Sequence, residues 1–205
     1  MVKNVSTLKK LKEEEREVRK NLIIDAAIRL FGRKPFNQVG MREIASEAGI
    51  SPASIYRYFS DRDELFVEAL LRESTAIEAR FKQIIQEGVN STIEDVAKNF
   101  VGYLLEHGSF FQMMTHFMID GGMSEGAIER FNTAERHLVN VFDEAFKKTG
   151  VSGRERLLSH AFFAALNGIV ITFRNYPGRT PEETRKHMYR LAALIAEVFK
   201  KAAIP

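Results

Sequence analysis

The chain has 205 residues, 45% of them hydrophobic, which is enough to build one or two compact cores. It has no cysteine, so disulfides and thiolate chemistry are excluded, in keeping with a reducing cytoplasm. Net charge is +3, no apolar run reaches the roughly 20 residues of a membrane span, and the opening MVKNVSTLKKLKEEEREVRK lacks the apolar centre of a signal peptide, so no membrane partner is expected.

In chain order, residues 1–6 read as disordered and Thr7 as the cap of a helix over 8–32. The first half of that helix is almost wholly charged. It either frays in solvent or lies as a basic arm along a DNA backbone. From Leu22 onward, Ile23, Ala26, Ala27, Leu30 and Phe31 form a continuous apolar stripe. Pro35 ends the helix by disfavouring helical geometry at Lys34.

The stretch GMREIASEAGISPASIYRYF, residues 40–59, is the one around which the rest of the chain is organised. Met41, Ile44, Ala45 and Ala48 fall at i, i+3, i+4 and i+7, one face of a second helix. Gly40 is its N-cap, and Gly49 stops it by accepting the left-handed backbone of a C-cap. Ser51 as N-cap and Pro52 as first helical residue start a third helix, with Ile55 and Phe59 facing inward. Two short helices joined by a tight turn make a helix-turn-helix, whose second helix enters the DNA major groove.

Ser60 with Asp63 reads as a capping-box pair for a fourth helix that runs to Glu87, roughly 37 Å long, and is closed by Gly88 and Asn90. Thr92 caps a fifth. Gly108 ends it, and Ser109 caps a sixth, FFQMMTHFMID, apolar on nearly all sides and so expected to be buried. Gly121 and Gly122 break the chain, Ser124 opens a seventh helix reaching Thr149, and Gly150 ends it. Ser152 with Glu155 caps an eighth over 154–176, and Thr180, Pro181 and Glu183 begin a ninth that reaches Ala203. The expected fold class is all-α: a three-helix DNA-binding domain at 1–59, then a six-helix domain at 60–205, nine helices and no strand.

Residues 22–66 resemble the DNA-binding domain of the tetracycline-repressor (TetR) family of bacterial transcriptional regulators. The segments that carry the resemblance are IIDAAIRLF, MREIASEAGIS, IYRYF and SDRDELF, in that order and spacing. Pro35 stands where the family usually has glycine, and Gly40 where it has Thr or Ser. The second change removes a hydroxyl that could reach a phosphate.

A groove-entering helix needs small residues for approach, hydrogen-bonders for bases and anchors for phosphates. Ser51, Pro52, Ala53 and Ser54 are small and open the third helix. Tyr56, Arg57 and Tyr58 then present two phenols and a guanidinium on the face opposite Ile55 and Phe59. Contact with double-stranded DNA explains them better than solvation does, though either tyrosine could instead pack against the first helix. The resemblance implies the same three positions, a base contact at Arg42 and a phosphate contact at Arg62; a solvated arginine is the alternative for each. Residues 1–60 hold twelve Lys/Arg against seven Asp/Glu, a net of +5, whereas the rest of the chain nets −2. A polyanion partner fits that asymmetry, and so does a plain solvated surface.

The last two helices offer Ala161, Ala164, Ala165 and Gly168, then Met188, Leu191, Ala192, Ile195, Val198 and Phe199. Paired across a two-fold axis, they would form a four-helix bundle, as the family does, and match a palindromic operator. Intrachain core is the other use for the same residues. Phe100, Tyr103, Leu104, Phe110, Met113, Met114, Phe117, Met118 and Phe142 form an aromatic and methionine-rich set suited to an apolar effector, or to an ordinary core. Gln112, Thr115 and His116 share one side of the sixth helix, and Asn167 and Arg174 are polar intruders on the eighth. Of these, Phe100, Tyr103, Phe110, Met113, Met114, His116, Phe117, Asn167 and Arg174 are the candidate effector contacts.

The sequence therefore points to a ligand-responsive regulator, most simply a repressor whose effector binds between the fourth and eighth helices and tilts the fourth. The alternative is an all-helical ligand-binding protein or enzyme without operator binding. Against an enzyme, the five histidines are scattered, with no metal-ligand spacing and no phosphate-binding glycine loop. No catalytic residue, metal or cofactor is expected.

Overall fold

The computed structural model describes residues 2–87, 92–120, 125–151 and 153–203, without the side chains of 2–6, 85–87, 117, 120, 134 and 203. Gly88, Asn90, Gly121, Gly122, Ser124 and Ser152, assigned to helix ends from the sequence, lie outside the described residues, as does the side chain of Phe117. Nine α-helices account for the described chain: α1 (Val2–Phe31), α2 (Met41–Glu47), α3 (Pro52–Ile55), α4 (Arg62–Glu87), α5 (Ile93–Glu106), α6 (Gly108–Asp120), α7 (Glu125–Lys148), α8 (Glu155–Phe173) and α9 (Pro181–Ala203). A single 3-10 turn, Phe36–Gln38, was not expected; it starts from Pro35, whose fixed φ suits such a turn.

Several boundaries differ from the expectation for identifiable reasons. The first helix begins at Val2, so Thr7 lies inside it rather than at its start. No glycine or proline interrupts residues 2–31, and Lys and Glu propagate a helix well. The fourth helix is capped one residue later than Ser60 and Asp63 suggested. Asp61 Oδ1 accepts from the Glu64 amide at 2.8 Å, and Glu64 Oε2 accepts from the Ser60 amide at 2.7 Å. Gly108 does not end the fifth helix; it opens the sixth, and the break falls at His107, whose ψ of 62 leaves helical geometry. The C-terminal end of the sixth helix also emerges, with Ile119 exposed. Thr92 caps α5 and Thr180 with Glu183 starts α9 as read from sequence; both caps are reciprocal, Asp95 being the partner of Thr92.

The chain forms two compact units, residues 1–70 with 112–130 and residues 71–111 with 131–205. This is not the 59/60 division expected from the helix-turn-helix: compactness places the start of α4, most of α6 and the start of α7 with the N-terminal helices. In this first unit Ile23, Ala26, Ala27, Ile44, Ala45, Ile55 and Leu65 are fully buried. Glu68 of α4 is held there by Lys20 of α1 at 2.6 Å and by Arg130 of α7.

In the second unit, α5 packs on both α8 and α9, and α8 on α9. Its core is a chain of phenylalanines. Phe100 meets Phe81 at 6.2 Å and Phe142 at 5.2 Å, Phe142 meets Phe162 at 5.3 Å, and Phe162 meets Phe146 at 5.5 Å and Phe199 at 5.2 Å. By length and composition α8 could cross a membrane, but 44% of its apolar stretch is buried inside the unit.

Candidate nucleic-acid interface

The reading surface is built on a turn only glycine fits well. Gly49 has φ +68, in the left-handed region that side chains with a Cβ avoid. Its amide bonds to Ser46 O at 3.1 Å and the Ile50 amide to Ala45 O at 2.9 Å, closing α2 and reversing the chain. Gly49→Ala should therefore cost about 1 kcal/mol and lower the thermal midpoint of the chain, with no new contact at the added methyl. An unchanged midpoint would show that the turn carries no such strain.

Ser51 then accepts from the Ser54 amide at 3.2 Å, and Pro52 takes the first helical position. The regular helix is a single turn, Pro52–Ile55, extended by shorter i→i+3 bonds from the Arg57 amide to Ser54 O and from the Tyr58 amide to Ile55 O. Ile55 and Phe59 are buried as expected. Tyr56 is 55% exposed, Arg57 is exposed, Tyr58 is half-buried, and Pro52 and Ala53 are open to solvent. Arg42, on the first turn of α2, is also exposed. Gly40 caps α2 with extended backbone and no side-chain bond.

The acids of α2 are neutralised from behind. Arg29 of α1 binds Glu47 at 2.8 Å and Lys34 binds Glu43 at 2.5 Å. The Arg29 guanidinium holds the Glu47 carboxyl below the usual carboxylate range. Arg42 and Arg57 have no such partner among the described residues, so this face presents positive charge outward.

Arg62 is engaged within the chain. Its guanidinium lies 4.0 Å from the centre of the Phe36 ring, and its Nη1 donates to Phe36 O at 3.2 Å and Val39 O at 3.4 Å. It braces the segment leading into α2. Sequence reasoning missed Phe36 as its partner; the only signal was an aromatic directly after Pro35.

Residues 23–69 match the bacterial regulatory proteins of the tetR family. That segment is a DNA-binding domain of the TetR type. The chain is a DNA-binding transcriptional regulator with the helix-turn-helix in its N-terminal unit. Over 159 residues, 76% of this chain and 74% of the relative, it is 25% identical to an HTH-type transcriptional regulator of Haemophilus influenzae. The fold is shared with a TetR-family regulator of Mesorhizobium loti at TM-score 0.70 and 18% identity, covering 89% of this chain and 96% of that one. It is also shared with the regulator FadR of Bacillus subtilis, solved in complex with stearoyl-CoA, at TM-score 0.68 and 17% identity, covering 85% and 96%.

The expected effector contacts fall in both compact units. Met113, Met114 and His116 belong to the first; Phe100, Tyr103, Phe110, Asn167 and Arg174 belong to the second. Phe100 is closed in by Phe81, Phe142 and Phe163 and serves the core. Tyr103 stacks on His107 at 3.9 Å, and burial pushes its phenol up to about 12, so it stays a hydrogen-bond donor. Arg174 lies over the Phe111 ring at 5.3 Å. Asn167 is buried; its Nδ2 donates to Phe163 O at 2.8 Å, while its Oδ1 has no partner. A buried amide oxygen left unpaired costs about 1–3 kcal/mol; Ser159 Oγ and Asp143 Oδ1 of the same unit are likewise buried without a partner among the described residues.

Among their exposed residues α8 and α9 each carry an apolar stripe. Leu157, Ala161, Ala164, Gly168 and Ile171 recur at spacings of four and three, a coiled-coil seam, with Leu157 66% and Ile171 52% exposed. Leu191, Leu194 and Val198 repeat the spacing on α9, with Leu194 54% and Val198 52% exposed. Met188 and Ala192, expected on that face, are buried in the core instead. Leu157, Ile171 and Leu194 were not anticipated.

Proposed function

We propose that the chain is a homodimeric repressor that binds a palindromic operator and is released by a small hydrophobic or aromatic effector. The observation that carries this reading is the open face of Arg42, Tyr56 and Arg57 beside a buried Ile55 and Phe59. That face supplies one guanidinium for bidentate guanine readout and one guanidinium and a phenol for backbone or base contact. Ser51, Pro52, Ala53 and Ser54 let the backbone approach the groove, Tyr58 supports the face from its half-buried position, and Arg62 fixes the segment before α2.

Dimerisation is supported by the two apolar seams on α8 and α9, which suit a four-helix bundle about a two-fold axis. An effector in the second unit would use the aromatic environment of Phe100, Tyr103 and Phe110, with Asn167 Oδ1 as its polar anchor. FadR of Bacillus subtilis, with its bound stearoyl-CoA, supports an apolar effector. Binding there would favour one setting of α4 and so the spacing of the two reading helices. The repressor would work where its operator is, in the cytoplasm.

The test is a titration of the protein on promoter-region and random DNA at two salt concentrations. A steep salt dependence and a large preference for promoter DNA are expected. Arg42→Ala should weaken promoter binding by about 1–3 kcal/mol and leave random-sequence binding nearly unchanged. Equal loss on both DNAs would move Arg42 to the phosphate-contacting group.

A further inference from the structure

The first unit contains a cleft of its own, apart from the aromatic core of the second. A cleft of about 400 Å³ opens between the end of α1 with its following turn and the outer side of α6. Its aromatic wall is Phe36 and Phe66, whose rings meet edge to face at 4.7 Å. His116 of α6 lies over Phe36, ring centres 4.6 Å apart and planes 32° apart. Gln112, with its amide turned to suit its neighbours, donates to Phe31 O at 3.2 Å and Gly32 O at 3.0 Å, pinning α6 to the end of α1.

The charged side chains lining the cleft are cationic, Arg33 and Lys34, with no carboxylate among the described lining residues. Lys34 is engaged by Glu43 at 2.5 Å. Arg33 is exposed and its side chain makes no hydrogen bond among the described residues; Glu47, the acid within its electrostatic reach, is already bound by Arg29. The cleft thus offers flat apolar walls, a stacked imidazole and one uncommitted guanidinium.

We propose that this cleft binds a small planar aromatic carboxylate, its ring against Phe36 and Phe66 and its carboxylate on Arg33, with His116 beside it. Guanidinium and carboxylate match as a two-point hydrogen-bonded pair, and a volume of a few hundred Å³ suits such a ligand. The site is distinct from the effector region of the second unit and adjoins the reading motif. Phe36 is the ring that Arg62 rests on, and the same arginine holds Val39 O, one residue before the Gly40 cap of α2. A ligand that favours one seating of Phe36 biases the start of α2, and with it DNA affinity.

Isothermal titration calorimetry of the full chain with 2-naphthoate tests the site without DNA. Saturable binding at one site per chain is expected, weakened about tenfold by Arg33→Gln and by replacing the probe with neutral 2-acetylnaphthalene. Asn167→Ala should leave that binding unchanged. Absence of saturable binding, equal affinity in Arg33→Gln, or loss in Asn167→Ala overturns the site. Added to an operator titration, 2-naphthoate should shift DNA affinity in the wild type and not in Arg33→Gln; binding without any such shift overturns the coupling to α2.

Discussion

Ala164→Glu should leave each protomer folded and abolish tight operator binding. Ala164 is exposed on α8, so a longer polar side chain meets no core in the single chain. In the proposed bundle it sits mid-seam between Ala161 and Gly168, where small residues let two helices approach closely. Two glutamates brought together there would be desolvated like charges, each costing several kcal/mol. The expected result is a monomer by sedimentation, with an unchanged helical spectrum and thermal midpoint. A monomer reaches one half-site only, so promoter affinity should fall about a hundredfold or more, toward random-sequence binding. Leu194→Glu on α9 should act alike. Dimers persisting in both variants would place the interface elsewhere.

Phe142→Ala should be the most destabilising single truncation in the second unit. The side chain is almost wholly buried and is the hub of the phenylalanine chain, touching Phe100, Phe162 and Phe163 at 5.2, 5.3 and 6.3 Å. Removing it opens a cavity and deletes three ring contacts, for about 3–5 kcal/mol. That is a large share of a typical domain's 5–15 kcal/mol. Chemical denaturation followed by circular dichroism should show a transition displaced to much lower denaturant. A loss below about 1 kcal/mol would mean that the neighbouring rings collapse into the space.

The reading motif was legible because its signals are local. Gly49, Ser51 and Pro52 act on their own backbone, and the apolar spacing of α2 needs no knowledge of the rest of the chain. The threonines that start α5 and α9 were legible for the same reason. Features made by residues distant in sequence were not. Arg62 binds a turn 26 residues earlier, so its sequence position suggested a phosphate contact and its packing gives a brace. The apolar, methionine-rich composition of α6 could not tell a buried helix from one whose end is exposed. The α8 seam was half legible: its small residues stood out, whereas Leu157 and Ile171 looked like any core leucine and isoleucine until their exposure was known.

Glu68 answers to two cations carried on different helices, Lys20 and Arg130. Such a joint has redundancy. Loss of either arm leaves the half-sheltered carboxylate with a counter-charge, and only loss of both strands it, so the two substitutions should combine more than additively. Altering one cation alone should therefore hide the joint, and only the double change should expose it.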